Sequence, residues 1–177
     1  SLVLGRQVVL VDEPDAADRR EADRSPVGTE GEIIEVEPLG AAAPGTFFDH
    51  APVHLITTST LRALAKRAGR GALDPRRFRP NVVIEGVDAF AEESAKRLEI
   101  GALGLTQLLP CERCSVTTFD VSTESESEAK PSQEPLKTLS QYRNRGVGYA
   151  GGVTFGAYFA PESDGKLQVG DEINVIV

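Results

Sequence analysis

Short runs of apolar, β-branched residues alternate with turn-forming residues along most of the chain. Runs of this kind are typical of strands of about 4–8 residues. The predicted strands cover 2–11, 32–37, 53–57, 81–86, 104–110, 115–120, 154–159 and 172–177. Many short strands and few helices predict a β-rich α+β fold, in which a barrel or curled mixed sheet carries a few peripheral helices.

Helical patterning is confined to short stretches. Ser59 or Thr60 can cap a helix that follows the strand at 53–57 and runs to about residue 68. Residues 90–98 are weakly amphipathic, and 135–143 predict a short helix with proline at its first position. The wholly polar stretch 122–134 predicts a mobile loop, and the acidic, proline-containing stretch 12–31 predicts an exposed loop.

Length and charge narrow the class of protein. The 177 residues suit one domain with a small appendage, divided here into 1–46, an N-terminal strand, insertion and linker, and 47–177, the main domain. A net charge of −8 argues against a nucleic-acid partner. No run approaches the roughly 18 apolar residues of a membrane helix, and no secretory signal is visible. We expect a cytoplasmic protein without a membrane partner.

Because the chain starts at Ser1 and has no methionine, we interpret it as a trimmed piece that lacks an N-terminal segment.

The only two cysteines form a CxxC pair, Cys111 and Cys114, with Arg113 beside the second. Thiolates are soft ligands for metals and good nucleophiles. A thioredoxin-like redox pair is disfavoured, because the second cysteine of such a pair opens a helix and 115–119 is β-prone. Burial of both cysteines as small apolar side chains is a further interpretation.

A structural zinc site is another interpretation of the same pair. His50 and His54 together with Cys111 and Cys114 would supply four ligands of suitable type. Pro52 lies between the histidines and the following residues look extended, so the histidines would not share a helix face. The zinc site is therefore an alternative, and it would describe a zinc-stabilised binding module.

A basic segment forms the second chemical signal. Seven lysine and arginine residues lie between positions 62 and 79, against one acid, Asp74. Most of them are explained by a solvated helix face. Arg79 is explained less well, because Phe78 and Pro80 flank it just before a predicted strand; a fixed guanidinium there suits phosphate or carboxylate oxygens. The hydroxyls of Thr58 and Ser59 lie near a predicted helix start, which also favours anions, although simple capping explains them as well.

In order along the chain, these pieces resemble the MOSC family, named for the C-terminal domain of molybdenum cofactor sulfurases. The resemblance is strongest to the branch of the mitochondrial amidoxime reducing component and its bacterial relatives. No single motif is specific, but the series in the family's order is. The matching stretches are FFDHAPVHLITTSTLRAL, RRFRPNVVIEG, DAFAEESAKRLEIGALGL, PCERCSVTTFD, EPLKTLSQYR, FGAYF and VGDEINV.

The resemblance implies a molybdenum cofactor, Mo-molybdopterin, held by one thiolate. Cys114 matches the cysteine that binds molybdenum. Arg79 and Asn81 match residues that contact the phosphate and ring system of the pterin. Arg113, Asp49 and Tyr158 match positions near the cofactor. The cofactor supplies the redox chemistry, and the protein supplies binding and orientation.

The implied activity is an oxidoreductase that reduces N-hydroxylated or similar oxygen-bearing small molecules. Its electrons would come from a ferredoxin, flavoprotein or cytochrome, because this chain has no spare cysteines for an iron–sulfur cluster. The alternative is a sulfur-carrier or cofactor-delivery module, which receives sulfur from a donor as a cysteine persulfide. Relatives usually carry an N-terminal β-domain that contributes to the pocket, and here only LGRQVVLV is recognisable from that region.

Overall fold

The computed structural model describes residues 21–24, 35–38, 50–119, 121, 133–144 and 152–177. The chain divides into two compact units, Ser1–Pro52 and Val53–Val177. In the first unit, strands β1 (Glu21–Arg24) and β2 (Glu35–Pro38) pair antiparallel. The prediction of a strand near 32–37 is confirmed, whereas that of a loop throughout 12–31 is wrong at β1. The predicted strand at 2–11 and most of the predicted loop at 122–134 lie outside the described residues, and the predicted division at 46/47 stays a prediction.

The second unit holds a mixed sheet and several short helices. Its strands are β3 (Val53–Thr57), β4 (Val82–Ile84), β5 (Arg97–Ile100), β6 (Leu103–Glu112), β7 (Thr154–Pro161) and β8 (Ile173–Ile176). Its helices are α1 (Thr58–Arg67), α2 (Ala91–Ser94) and α3 (Leu136–Tyr142), with the 3₁₀ helices η1 (Pro75–Phe78) and η2 (Ser115–Thr118).

The six strands form one curled half-barrel in the order β4-β3-β7-β6-β5-β8. Strands β3 and β4 run parallel and are connected through α1, while all other neighbours are antiparallel. A parallel pair needs such a crossover connection, and a helix usually supplies it. The predicted β-rich α+β class with a curled mixed sheet and peripheral helices is therefore confirmed.

Each face of the sheet has its own apolar cluster. Leu55 of β3 packs with Leu98, Leu105 and Phe159 on one face. Its neighbour Ile56 belongs to the cluster on the other face, under α1 and η1. Successive side chains of a strand point to opposite faces, so β3 contributes to both clusters. This second cluster, whose buried members are Ile56, Leu61, Leu64, Phe78, Leu139 and Phe155, supports η1 and the residues that follow it.

Two predicted elements differ from the structure. The stretch 115–120 was expected to be a strand, but η2 lies there. The hydroxyl of Thr117 donates to the carbonyl of Cys114 at 3.1 Å, and that of Thr118 donates to the carbonyl of Ser115 at 2.6 Å. These local bonds close a helical turn in place of a strand ladder. The continuous apolar, β-branched run at 81–86 predicts a strand that is also buried, yet β4 is an edge strand and Val83 is 40% exposed.

The helices agree with the sequence except in detail. Helices α1 and α3 are confirmed, and the amphipathic stretch 90–98 divides into α2 and β5. The N-cap of α1 is Thr57, whose hydroxyl accepts from the amide of Thr60, so the prediction of Ser59 or Thr60 as the cap is wrong. Among the described residues, no helix combines the length and the apolar character needed to cross a bilayer.

Candidate functional site

The exposed cysteine of the CxxC pair is the second one. Strand β6 ends at Glu112, and Cys114 lies two residues later as the N-cap of η2, with extended backbone. Its thiol is free and exposed, whereas Cys111 is fully buried. The start of η2 therefore presents one soft sulfur to the surface, where a ligand can reach it.

The buried Cys111 is a hydrogen-bond acceptor. Its Sγ accepts a hydrogen bond from Nη1 of Arg113 at 2.8 Å. The same sulfur is also hydrogen-bonded to the hydroxyl of Tyr158 on β7. Burial raises the pKa of the Cys111 thiol, and the positive charge of Arg113 opposes this only in part. Cys111 is thus a neutral thiol that holds two neighbouring side chains in place.

Arg113 connects the cysteine turn to the turn after η1. Its second amino group, Nη2, donates to the carbonyl of Phe78 at 2.9 Å, and its guanidinium lies 5.7 Å from the centre of the Phe78 ring. A second hydrogen bond joins η1 to the end of η2: Nη1 of Arg77 donates to the carbonyl of Phe119 at 2.7 Å. Cys114 and Arg79 consequently lie on turns that are hydrogen-bonded to each other.

Arg79 has a left-handed backbone, with φ 53° and ψ 47°, and its side chain is exposed. Among the residues that the structure describes, its guanidinium has no hydrogen bond or ion pair. Asn81, two residues later, bonds β3 instead. Its side-chain Oδ1 accepts from the backbone N–H of His54 at 2.7 Å, and its backbone N–H donates to the carbonyl of His54 at 2.8 Å. Arg79 is therefore available to an anion, whereas the Asn81 oxygen is engaged in the fold.

His54 lies between these groups; the sequence suggests it only as a zinc ligand and does not indicate its contact with Arg79. Its Nδ1 faces the carbonyl of Arg79 at 3.3 Å, and its ring lies 5.4 Å from that of Tyr158. Burial, and then the positive charge of Arg113, lower the pKa of His54 to about 4. The imidazole is therefore neutral near pH 7, and the carbonyl of Arg79 assigns its proton to Nδ1.

Several of the residues singled out in the sequence are joined by these contacts, and others are not. Arg79, Asn81, Arg113 and Tyr158 form one network through His54 and Cys111. Thr58 and Ser59 stand apart, because both hydroxyls accept from Arg62, at 3.2 and 3.4 Å.

The strand register explains this separation. Strands β3 and β4 run parallel, and Asn81 is level with the start of β3, whereas Thr58 follows its end. Asn81 and Thr58 therefore lie at opposite ends of this strand pair. Asp49 lies outside the described residues, and its predicted role stays a prediction.

The carboxylate of Glu92 is hydrogen-bonded to residues at the N-terminus of α1. Glu92 is fully buried; its Oε2 accepts from the hydroxyl of Thr60 at 3.0 Å and its Oε1 from the amide of Thr57 at 3.4 Å. Burial raises the pKa of Glu92. In the sequence, Glu92 is only one acidic residue in a short amphipathic stretch. Nothing in that pattern indicates its contact with Thr60, which lies 32 residues earlier.

The alternative sites suggested by the cysteine pair have less support from the geometry. Within the described residues there is no group of three or more histidine, cysteine and acidic side chains placed to hold a metal ion. A helix, η2, does begin directly after Cys114, where the sequence predicts a strand that would disfavour a thioredoxin-like pair. η2 is a four-residue 3₁₀ helix rather than the α-helix expected for such a pair.

Comparison with known proteins covers most of the chain. Residues 43–174 match the MOSC domain family. Mitochondrial amidoxime-reducing component 1 of Homo sapiens is 34% identical over 134 residues, which are 73% of this chain and 38% of that protein. Mitochondrial amidoxime reducing component 2 of Rattus norvegicus is 36% identical over 71% of this chain and 37% of its own length.

A relative with another activity in its name also matches. Molybdenum cofactor sulfurase of Arabidopsis thaliana is 39% identical over 58% of this chain and 12% of its own length. The chain thus spans less than two fifths of the length of the curated relatives it matches. From the match over residues 43–174 and the identity with these relatives, the chain belongs to the MOSC domain family.

Proposed function

We propose that this chain is the MOSC part of a molybdenum-cofactor oxidoreductase that reduces N-hydroxylated or similar oxygen-bearing small molecules. The single observation that carries the proposal is the pairing of two turns. One presents the free, exposed thiol of Cys114, and the other presents the exposed guanidinium of Arg79, which has no hydrogen bond or ion pair with any residue that the structure describes. Both the relatives named for amidoxime reduction and the one named for the cofactor's sulfuration agree with a molybdenum-related role.

The donor set fits the chemistry of the cofactor. A molybdenum centre already held by dithiolene sulfurs needs one further soft ligand from the protein, and Cys114 is the exposed soft ligand among the described residues. The pterin carries a phosphate, for which a guanidinium is a suitable partner. When bound, the cofactor supplies two-electron oxygen-atom chemistry.

The residues of the chain would bind and orient the group. Cys114 would hold the metal through sulfur, and Arg79 would hold the phosphate or a neighbouring anionic group. Arg113 keeps the two turns together through its contacts with Cys111 and Phe78. Asn81, Asp49, Tyr158, Thr58 and Ser59 stay candidates for cofactor contact. Electrons would come from a separate donor protein of the ferredoxin, flavoprotein or cytochrome type, and we retain a cytoplasmic location as part of the proposal.

Metal analysis tests the proposal directly. The chain is purified from a host that makes the cofactor, and molybdenum per chain is measured by plasma mass spectrometry for wild type, Cys114→Ser and Cys111→Ser. We expect Cys114→Ser to lose the metal and the reduction of an amidoxime by reduced methyl viologen, and Cys111→Ser to keep the metal. Equal molybdenum in wild type and Cys114→Ser would refute the role of this thiol.

A second candidate function uses the same sulfur. An exposed, free cysteine can also carry a persulfide, and the similarity to a molybdenum cofactor sulfurase favours a sulfur-transfer module. Intact-mass analysis distinguishes the two. An added mass of about 32 Da (one sulfur atom) that is lost in Cys114→Ser, without turnover of an amidoxime, favours sulfur transfer.

A further inference from the structure

We propose that His54, Cys111, Arg113 and Tyr158, called here the anchor cluster, are positioning residues that hold Arg79 in its left-handed backbone conformation. The inference rests on the proposed function for its biological meaning, since Arg79 is there the partner of the cofactor's anionic group. It goes further by giving roles to His54 and to the first cysteine of the CxxC pair.

The conformation of Arg79 needs support. A residue with a side chain pays about 1 kcal/mol or more for a left-handed backbone, and glycine is the usual choice at such a position. Here the position follows η1 and carries a long, exposed cation. Unfavourable backbone conformations persist where the surroundings determine them, and they concentrate at functional sites.

The peptide before Arg79 is held at both of its polar groups, because its N–H donates to the carbonyl of Arg76 at 3.1 Å and its carbonyl accepts from Arg113. The carbonyl of Phe78 belongs to that peptide and receives Nη2 of Arg113 at 2.9 Å. The same guanidinium is fixed at its other end, because Nη1 donates to the buried Sγ of Cys111 at 2.8 Å and the Tyr158 hydroxyl bonds that sulfur too. The planar guanidinium has a fixed fork of donors, so two contacts set its orientation.

The peptide after Arg79 is held by His54. The carbonyl of Arg79 belongs to that peptide and accepts from Nδ1 of the imidazole at 3.3 Å. The imidazole itself is 5% exposed and contacts the ring of Tyr158. Because φ and ψ describe the orientation of the two peptide planes around one Cα, restraining both planes restrains both angles. Cys111 therefore acts through Arg113, and His54 acts directly.

Backbone chemical shifts test this inference on the metal-free chain. The ¹³Cα and ¹³Cβ shifts of residue 79 report a left-handed conformation, and those of Leu98, in the other apolar cluster, report the fold. We expect Cys111→Ala and His54→Ala to lose the left-handed shifts at Arg79 while Leu98 is unchanged. Cys111→Ser should keep them, because its hydroxyl still accepts from Arg113. Unchanged shifts at Arg79 in both alanine variants overturn the inference.

A double-variant comparison covers the case in which an alanine variant fails to fold. Glycine adopts the left-handed conformation without support, so in an Arg79→Gly background the loss of Cys111 should matter less. We expect the unfolding constant to change about fivefold less for Cys111→Ala there than in wild type, or a folded chain where the single variant is unfolded. Equal effects in the two backgrounds contradict the inference.

The outcome is separable from that of the proposed function. The shifts at Arg79 are measured on the metal-free chain, so they test the role of the anchor cluster whether or not the chain binds molybdenum. The functional consequence is measured as molybdenum per chain from a cofactor-competent host, which should fall in His54→Ala although Cys114 is intact. Altered shifts with a wild-type chain that never acquires molybdenum would keep the anchor cluster and reject the proposed function.

Discussion

Gly156 of β7 lies directly against the imidazole of His54. A Cβ atom placed on Gly156 would come within 2.7 Å of Nε2 of His54 and 2.8 Å of the Leu55 carbonyl. The backbone there has φ +79°, which glycine adopts without cost. The missing side chain at 156 is thus what leaves room for the ring that bonds Arg79.

Replacing this glycine should therefore destabilise the fold. We expect Gly156→Ala to lower the free energy of unfolding by at least about 2 kcal/mol, from backbone strain together with overlap against a carbonyl that cannot move away. Gly71→Ala is the matched control, since a Cβ there meets nothing within 4 Å and the change should stay within about 0.5 kcal/mol. Urea denaturation measures both, and similar losses for the two variants would show that position 156 is not crowded.

Stability should depend on the protonation of His54. Its pKa in the folded chain is about 4, against 6.5 in the unfolded chain, so the unfolded chain binds the proton first as pH falls. The contribution of the neutral imidazole is therefore complete above pH 6.5 and is lost between pH 6.5 and 4, by at most about 3 kcal/mol.

Comparison with His54→Phe isolates this contribution. Among the described residues, the ionisable groups near the ring include the guanidinium of Arg113 and the phenol of Tyr158. Glu92 titrates with the opposite sign, because its raised pKa favours the folded chain as pH falls, and it is present in both proteins. We expect the wild type to lose more stability than the variant between pH 7 and 4.5. Parallel losses in urea melts at the two pH values would count against a neutral, buried His54.

Glu93 and Arg143 form a buried ion pair, with each side chain 3% exposed, and Arg143 also covers the ring of Phe90 at 4.3 Å. Removing one partner leaves the other charge buried, so Glu93→Leu should cost about 3–5 kcal/mol. The double change Glu93→Leu with Arg143→Met should cost less, because neither charge is left behind.

An exposed ion pair supplies the control for this comparison. Asp74 and Arg76 are 28% and 68% exposed, and Asp74→Asn keeps the oxygen that accepts from the Arg76 amide. Its effect on the free energy of unfolding should be far smaller. If Glu93→Leu and Asp74→Asn destabilise equally in chemical denaturation, the pair at Glu93 is solvated rather than buried.

The two thiols should differ sharply in reactivity. Cys114 is exposed and Cys111 is fully buried, so a thiol reagent should modify one cysteine quickly in the native chain and the second only on unfolding. Cys114→Ser should abolish the fast phase, and Cys111→Ser should leave it. Peptide mass spectrometry after brief alkylation identifies the labelled residue, and equal labelling of both would contradict the burial of Cys111.

The elements that followed from the sequence are those specified by local pattern. The apolar run at 53–57 and the amphipathic residues after it are enough to predict β3 and α1, because hydrophobic periodicity reports which face is buried. The 3₁₀ helix η2 was missed because Thr117 has a high strand propensity, yet its hydroxyl bonds the carbonyl three residues earlier. Edge position, as for Val83 of β4, depends on strand order, which local pattern does not contain.

The candidate site shows the same division. The motif order supplied the candidate residues, whose roles stay predictions, and the exposed thiol of Cys114 agrees with the interpretation that it is the ligand. Thr58 and Ser59 are candidates because they lie at a predicted helix start, but the start of α1 is hydrogen-bonded by Glu92, a residue from a distant part of the chain. Nothing near His54 in the sequence indicates its contact with Arg79, so the sequence by itself suggests this residue only as a zinc ligand.

By itself, the sequence determined the family, the order of most elements and the positions of the soft and cationic groups, since composition, periodicity and motif spacing are properties of neighbouring residues. Only the tertiary structure decided which cysteine is buried and why Arg79 is left-handed. Those outcomes depend on contacts between residues far apart, 25 positions for His54 with Arg79 and 35 for Arg113 with Phe78. Such contacts arise from packing across the sheet, and no local propensity encodes them.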